Sequence, residues 1–280
     1  MKRIITTLVL LYITSIGAQN FTGKATYKTS RKSSFKMKTD KEGVNDKMQE
    51  EIQKRIQKMN QKTFILEFDK TTSIYKEDVK LEAPKPQVGG NRVVVMSFGG
   101  SGGGSLYYKN TQEKRFSNQT EIMGKVFLVK DSLPNYKWEL SSETKNIGKY
   151  TCYKASFSRE VENTSMSMIN GESKEVSKKE MITTTAWYTL QIPISNGPDD
   201  YQGLPGLILE INDGKKMIVC TEIVLNPSEK ITIHEPTKGK VVNQQKYSEI
   251  QKQKTKEMME KFKSRNGFEM GNGVRVKMGG

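Results

Sequence analysis

The sequence predicts a mainly β fold, a β-rich α+β protein built on one curved antiparallel meander sheet. Segments rich in branched and aromatic residues recur along most of the chain, and the connections between them are short and rich in Asn, Asp and Gly. Strands do not alternate regularly with helices, as the crossovers of a parallel sheet would require. One amphipathic helix near the N-terminus and a helical tail near the C-terminus complete the expected architecture.

The first 18 residues have the pattern of a secretory signal peptide. Lys2 and Arg3 are followed by an apolar run over residues 4–13, and small residues precede the expected cleavage after Ala18. An uncleaved anchor is the alternative, but the apolar run is short for a bilayer. We therefore expect an exported protein with no transmembrane segment in its mature chain. It would be periplasmic, associated with the outer membrane, or secreted.

The expected mature chain divides into three parts. Residues 19–240 form a single β domain, residues 241–265 form a helix, and the Gly-rich residues 266–280 form a disordered tail. Within the β domain, apolar residues recur at helical spacing over residues 45–61, where they would cover the sheet. These residues are Met48, Ile52, Ile56 and Met59.

Apolar runs and turn signals place the remaining strands. A first strand, or strand pair, is expected over Phe21–Phe35, a polar hairpin or loop over residues 160–180, and hairpin turns at Asn146-Ile147-Gly148 and Asn212-Asp213-Gly214. The other predicted strands lie at Thr63–Phe68, Ser73–Tyr75, Val93–Met96, Leu106–Tyr108, Glu121–Val129, Trp138–Leu140, Tyr150–Phe157, Met181–Leu190, Leu207–Ile211, Lys216–Val224 and Ile231–His234.

The charge and residue types restrict the possible functions. The formal net charge is +15, but the lysines are scattered among many glutamates and no nucleic-acid recognition motif accompanies them, so we expect no nucleic acid. Lipid headgroups and glycans stay open as partners. His234 is the only histidine, which removes most metal sites and nucleophile–base pairs, and we expect no cofactor and no metal.

Two cysteines, Cys152 and Cys220, lie in strand-like segments. In an exported chain an even number of cysteines favours a disulfide, so the sequence predicts that these two are bridged. Two buried free thiols are the alternative, because spacing alone does not show that the two strands are close.

The most informative stretch is AWYTLQIPISNGPDDYQGLPGLILEI, from Ala186 to Ile211. Its centre is rich in Gly and Pro, which fix one turn path between two strand-like ends. The hexapeptide at residues 203–208 and the upstream Ala186-Trp187-Tyr188-Thr189 resemble the GLPGLI family of secreted or periplasmic Bacteroidetes proteins. No activity is established for that family as a whole. The resemblance implies export and leaves the activity open.

Candidate residues concentrate in this stretch. Gly203 and Gly206 are expected to hold a rigid turn with a special backbone, and the motif either shapes the fold or forms one wall of a binding cleft. The candidate wall residues are Trp187, Tyr188, Leu204, Pro205 and Leu207. Asp199-Asp200 could serve acid–base chemistry or bind a cation, although a turn is the simpler role.

We predict no catalytic residue and, on balance, no enzymatic activity. The first hypothesis is a non-enzymatic cell-envelope module that binds an apolar ligand or a protein partner, such as a lipid, a glycan or an envelope protein, in the concave face of the sheet. The second is a structural or adhesion-type surface protein without a small ligand, and the third is a carboxylate-based hydrolase. A filled sheet face would favour the second hypothesis over the first.

Overall fold

The structure is a computed structural model that describes residues 21–31, 37–38, 61–79, 105–169, 172–264 and 275–278. Within these residues it has fourteen strands and one helix, α1 (Gln244–Ser264). The strands are β1 (Gly23–Arg31), β2 (Met37–Lys38), β3 (Lys62–Phe68), β4 (Thr72–Glu77), β5 (Leu106–Asn110), β6 (Arg115–Ile122), β7 (Lys125–Ser132), β8 (Glu139–Ile147), β9 (Tyr150–Ile169), β10 (Glu172–Thr189), β11 (Leu207–Asn212), β12 (Lys216–Leu225), β13 (Lys240–Val242) and β14 (Arg275–Met278).

The described strands form one sheet, which confirms the mainly β prediction. Its order is β13-β7-β6-β5-β4-β3-β1-β12-β11-β10-β9-β14-β2, and β8 pairs with β9. Two meanders, β3 to β7 and β9 to β12, therefore flank β1, which pairs with β3 on one side and β12 on the other. All described pairs are antiparallel except β13 with β7.

Alternating apolar residues on neighbouring strands build one continuous buried surface, which we call the inner face. On β4, Tyr75 lies opposite Leu66 of β3 and Tyr107 of β5. Tyr27 of β1 is fully buried and donates a hydrogen bond from its hydroxyl to the carbonyl oxygen of Ile208, at 2.7 Å. Because Ile208 is on β11, this bond links the sheet centre to the strand after the hexapeptide's turn.

Several predicted elements differ from the structure. The predicted strand Glu121–Val129 is interrupted by a turn at Met123-Gly124, and the predicted strand Ile231–His234 is absent from the described sheet. Glu235, the next residue after that stretch, accepts hydrogen bonds from Arg115 and Ser117 at 2.9 and 2.6 Å, respectively.

The termini and the β9–β10 region complete the comparison. The stretch at residues 160–180 forms most of a long hairpin of β9 and β10. Residues 266–280, predicted to be disordered, include strand β14, which pairs with β9 and β2. Helix α1 lies within the range 241–265 that the sequence predicted as helical. Residues 1–18, the predicted strand Val93–Met96 and nearly all of the predicted helix at 45–61 lie outside the described residues.

Among the described residues, no helix is both long enough and apolar enough to cross a membrane. The N-terminus of α1 is capped by Asn243, whose side-chain oxygen accepts a hydrogen bond from the Lys246 backbone NH at 2.8 Å. The Gln244 NH donates to the carboxylate of Asp131 at 3.1 Å. These bonds fix the start of α1 beside the end of β7.

Candidate functional site

The connection between β10 and β11, residues 190–206, fills the inner face of the sheet. We call it the motif loop. Ile192, Ile194, Tyr201 and Leu204 are all at most 5% exposed and belong to the same core cluster as the inner face. The loop folds back on β11, where the Leu207 NH donates to the Ile192 carbonyl at 2.9 Å. The hexapeptide therefore begins in a core-filling loop and ends in a buried strand.

The two candidate glycines are required for different reasons. Gly203 has φ of +95°, in the left-handed region, and a Cβ there would meet only Trp138, at 3.5 Å. Gly206 is not in that region, but a Cβ on it would lie 2.0 Å from the carbonyl oxygen of Thr189. The expected special backbone is thus present at Gly203, while Gly206 is needed because the backbone of β10 passes too close for any side chain.

A buried lysine forms hydrogen bonds with the backbone of the motif loop. Lys109, on β5, is fully buried, and its ammonium donates to the carbonyl oxygens of Gly197, Asp199 and Tyr201 at 2.6, 2.8 and 3.2 Å. These three acceptors use all three N–H donors of the protonated amine. Burial lowers the pKa of Lys109 to about 7, although the nearby carboxylates of Asp200 and Asp199 act in the opposite direction.

The adjacent carboxyls Asp199 and Asp200 have different partners. Lys216 donates to Asp199 at 2.6 Å, and the hydroxyl of Tyr136 donates to Asp200 at 2.6 Å. Burial would raise the pKa of Asp199, but the charge and hydrogen bond of Lys216 outweigh it and hold that pKa below its usual value. Burial and the charge of Asp199 raise the pKa of Asp200, against the hydrogen bond from Tyr136. The pair is therefore split in acidity.

Trp138 and Tyr136, which we call the aromatic clamp, contact the motif loop beside these carboxyls. The indole NH of Trp138 donates to the Gln202 carbonyl at 2.9 Å, and the Gln202 side chain donates to the Pro134 carbonyl at 2.6 Å. The rings of Tyr136 and Tyr201 stack, with centroids 5.5 Å apart. Because these polar groups bond to one another, the clamp and the carboxyl pair fasten the motif loop. Asp199 also has φ of +55°, as its turn role requires.

The five candidate wall residues differ in exposure. Leu204, Leu207 and Tyr188 are buried, whereas Pro205 is exposed. Trp187 is half-buried under the ammonium of Lys145, which lies 4.4 Å from its ring centroid. The same Lys145 forms an ion pair with Glu210 at 2.7 Å. These contacts favour the interpretation that the motif shapes the fold.

The cysteines do not form the predicted disulfide in this structure. Cys152 and Cys220 are free and buried. They lie on β9 and β12, which β10 and β11 separate in the sheet order, so they are not on neighbouring strands. Burial raises the pKa of the Cys152 thiol to about 11 and that of Cys220 to about 12, which keeps both protonated and unreactive.

The described residues contain no group of three or more His, Cys, Asp or Glu side chains that could hold a metal ion. His234 is exposed at the surface. The split carboxyl pair is thus the only acid–base feature of the motif loop, and its hydrogen bonds are used to hold the loop.

A second feature lies near the β13 end of the sheet, between α1 and the tip of the β6–β7 hairpin. Tyr247 packs edge-on against Phe127, with centroids 5.9 Å apart, and anchors the helix there. Toward the hairpin tip the two elements leave an apolar groove of about 270 Å³, which we call the hairpin groove. Its lining residues are Ile122, Met123, Lys125, Phe127, Ile250, Lys254, Glu257 and Met258.

Sequence reasoning missed both Lys109 and the hairpin groove. A lysine in a short strand normally indicates a solvent-facing position, and the partners of Lys109 lie 88 to 92 residues further along the chain. The spacing of Tyr247, Ile250 and Met258 indicated an amphipathic helix, but the sequence did not show which surface its apolar side would face.

Residues 138–210 match the model of a family described as a protein of unknown function (Porph_ging), which is found in Bacteroidetes. The match spans 73 of 280 residues (210 − 138 + 1), from β8 into β11, and includes the motif loop. It supports a Bacteroidetes-type family, while the GLPGLI assignment stays a resemblance. No curated protein matches.

Among solved structures, the chain is similar to PNGF-II in the C2 and P21 space groups, at 13% identity. The TM-scores are 0.45 and 0.47, and the aligned region covers 84% and 83% of this chain. The chain spans about a third of the length of PNGF-II, since the match covers 33% of that protein.

Proposed function

We propose that this protein is an exported, non-enzymatic interaction module of the cell envelope that acts through its outer surface. The observation that carries the proposal is the motif loop, whose side chains occupy the inner face where an apolar ligand would otherwise bind. Ile192 and Leu204 are at most 1% exposed, and the loop is held there by Lys109. This arrangement favours the second of the three hypotheses, a structural or adhesion-type protein without a small ligand.

The polar residues of the motif loop support the same conclusion. Lys109 makes three hydrogen bonds to the loop backbone, while Asp199 and Asp200 are tied to Lys216 and Tyr136. A catalytic carboxyl would need to reach a substrate proton, whereas these groups are already used within the protein. Their arrangement explains how the loop is fastened without assigning a reaction to it.

Export forms part of the proposal and depends on the pattern of residues 1–18. A positive start, a short apolar run and Ala18 before polar residues are typical of a cleaved signal peptide. The match to a Bacteroidetes-type family is compatible with a cell-envelope location. N-terminal sequencing of envelope-extracted protein should begin at Gln19, and a chain that retains Met1 would contradict export by this route.

Native mass spectrometry of the protein purified from its own envelope tests the mode of action. We expect the mass of the mature chain without a small ligand, and the same mass after extraction with organic solvent. A lipid or other small molecule that is released only on unfolding would show an occupied interior and overturn the proposal. Leu204→Ala provides a matched variant, because a true ligand cavity would enlarge and retain more ligand.

A further inference from the structure

The tip of the β6–β7 hairpin has an unusual residue in its turn. Met123 and Gly124 form a two-residue loop between Ile122 and Lys125, with φ of +49° and +79°. Turns with positive φ at both central residues favour Asn, Asp or Gly at the first position, because the backbone of most other residues is strained at positive φ. Met123 is also 55% exposed, so buried contacts do not compensate for the strain.

Apolar surface adjoins this turn on both faces of β7. On the face opposite the groove residue Phe127, Val126 of β7 is 41% exposed and Val241, which pairs with Leu128, is 63% exposed. The hairpin groove opens beside Met123, with Ile250 and Met258 of α1 on its far side. At about 270 Å³ the groove is smaller than the roughly 300–1,000 Å³ typical of small-molecule pockets. The groove is therefore better suited to contact with an extended surface than to enclosing a small molecule.

Positive charge surrounds this apolar surface. Three exposed lysines near the groove have no ion-pair partner among the described residues: Lys125 of β7, Lys238 just before β13, and Lys240 of β13. The helix acids Glu249 and Glu257 are paired with Lys246 and Lys254. Of the other acids on these elements, Glu121 binds the Gly124 NH at 3.1 Å, Glu260 is exposed, and Asp131 is at the far end of β7, where it binds the Gln244 NH at 3.1 Å. The lysines therefore leave a net positive rim.

We propose that the hairpin tip and the facing side of α1 dock on an anionic lipid surface. Met123 enters the interface between headgroups and acyl chains, and Lys125, Lys238 and Lys240 contact the headgroups. Apolar side chains at a tip surrounded by lysines combine the two interactions that hold proteins at such surfaces. This inference rests on the proposed function, since it identifies what the outer surface binds. An apolar groove with a neutral rim would instead suit a protein partner.

Sedimentation of the mature chain with vesicles tests the inference. We expect binding to vesicles of equimolar phosphatidylglycerol and phosphatidylcholine, and little binding to phosphatidylcholine alone. Met123→Asn should weaken binding about tenfold, because an apolar side chain leaves the interface. Lys125→Gln should weaken it about fivefold, with a smaller effect at high salt.

Asn suits the backbone of this turn, so Met123→Asn should melt at the same temperature as the wild type or higher. Loss of vesicle binding with retained stability therefore separates docking from folding. Met181→Asn is the matched control, because Met181 on β10 is 67% exposed on an element that does not line the groove. The inference would be overturned if both variants lost binding equally, if the protein bound both vesicle types equally, or if it bound no vesicles. It would also be overturned if Met123→Asn abolished binding to a partner protein in the absence of lipid. None of these results would restore a ligand to the sheet interior, which native mass spectrometry tests separately.

Discussion

The ammonium of Lys109 lies 2.6 Å from the carbonyl oxygen of Gly197, on the inner face of the sheet. A strand residue thereby supplies the cation that organises a loop nearly ninety residues later in the chain. Because the loop carbonyls at this point have no strand partner, the lysine satisfies backbone groups that would otherwise be buried without hydrogen bonds. The following predictions test this arrangement and its neighbours.

Lys109→Met should lower the free energy of unfolding by about 3–5 kcal/mol, because it leaves buried carbonyls and two nearby carboxyls without their cation. Urea denaturation measures the change. Lys76→Met is the control, since Lys76 on the adjacent strand forms a partly exposed ion pair with Glu67 at 2.9 Å and should contribute about 1 kcal/mol or less. Similar losses in the two variants would show that Lys109 does not hold the loop.

Asp199→Asn and Asp200→Asn should change stability in opposite directions at neutral pH. Asp199 has a lowered pKa, so its contribution is present above the ordinary carboxyl pKa and is lost as pH falls through the lowered value. Asp200 has a raised pKa, so its contribution is present in acid and is lost as pH rises through the raised value. The first substitution should therefore destabilise the protein and the second should stabilise it.

Asn tolerates the positive φ of Asp199, so the comparison isolates charge from backbone strain. Because the Asp199 side chain is 37% exposed, its substitution should cost about 1 kcal/mol or less. Urea titrations between about pH 3 and pH 8 should show both differences shrinking toward acid, where the carboxyls are protonated. Effects of the same sign would contradict the split in acidity.

Gly206→Ala should be more destabilising than Gly203→Ala. At residue 206 the new methyl group would lie 2.0 Å from the Thr189 carbonyl, and neither strand can yield easily, so we expect a loss of about 3 kcal/mol or more. At residue 203 there is space and the cost is left-handed strain, about 1–2 kcal/mol. Thermal and urea unfolding of the two variants provide the measurement, and the reverse order would refute the assigned reasons.

The two thiols should be chemically free. Alkylation of unreduced, denatured protein should add two groups per chain, as expected for two free cysteines. The folded protein should react slowly, because burial raises the pKa of both thiols and little thiolate is present at neutral pH. A chain that takes up the reagent only after reduction would instead contain the disulfide that the sequence predicted.

Local patterns were sufficient for elements whose signals are local. The turn at Asn212-Asp213-Gly214 was predicted because Asn, Asp and Gly favour such turns, and the structure joins β11 to β12 there with Gly214 at φ of +84°. The turn at Met123-Gly124 was missed because methionine is not a turn residue, and a continuous apolar strand was the simpler interpretation. The turn that departs from local propensity therefore lies at the hairpin tip, the surface for which we propose docking.

Long-range contacts limited the prediction of the site. The apolar alternation at Ile231–His234 indicated a strand, but the described sheet offers it no partner and Glu235 is held by side chains of β6. The hexapeptide was recognised as a fixed turn, yet sequence could not show that the preceding loop fills the sheet. That depends on Lys109 and Tyr136, which are distant in the chain and carry no local signal of burial.

The central position of β1 has a consequence for how the chain acquires its structure. Gly23 pairs with Leu225, 202 residues away (225 − 23), so the middle of the sheet cannot close until β12 has been synthesised. Contacts between such distant residues slow folding, and each meander would expose unpaired strand edges in the interval. The centre of the sheet therefore forms last, by joining two meanders whose edges β1 and β12 bring together.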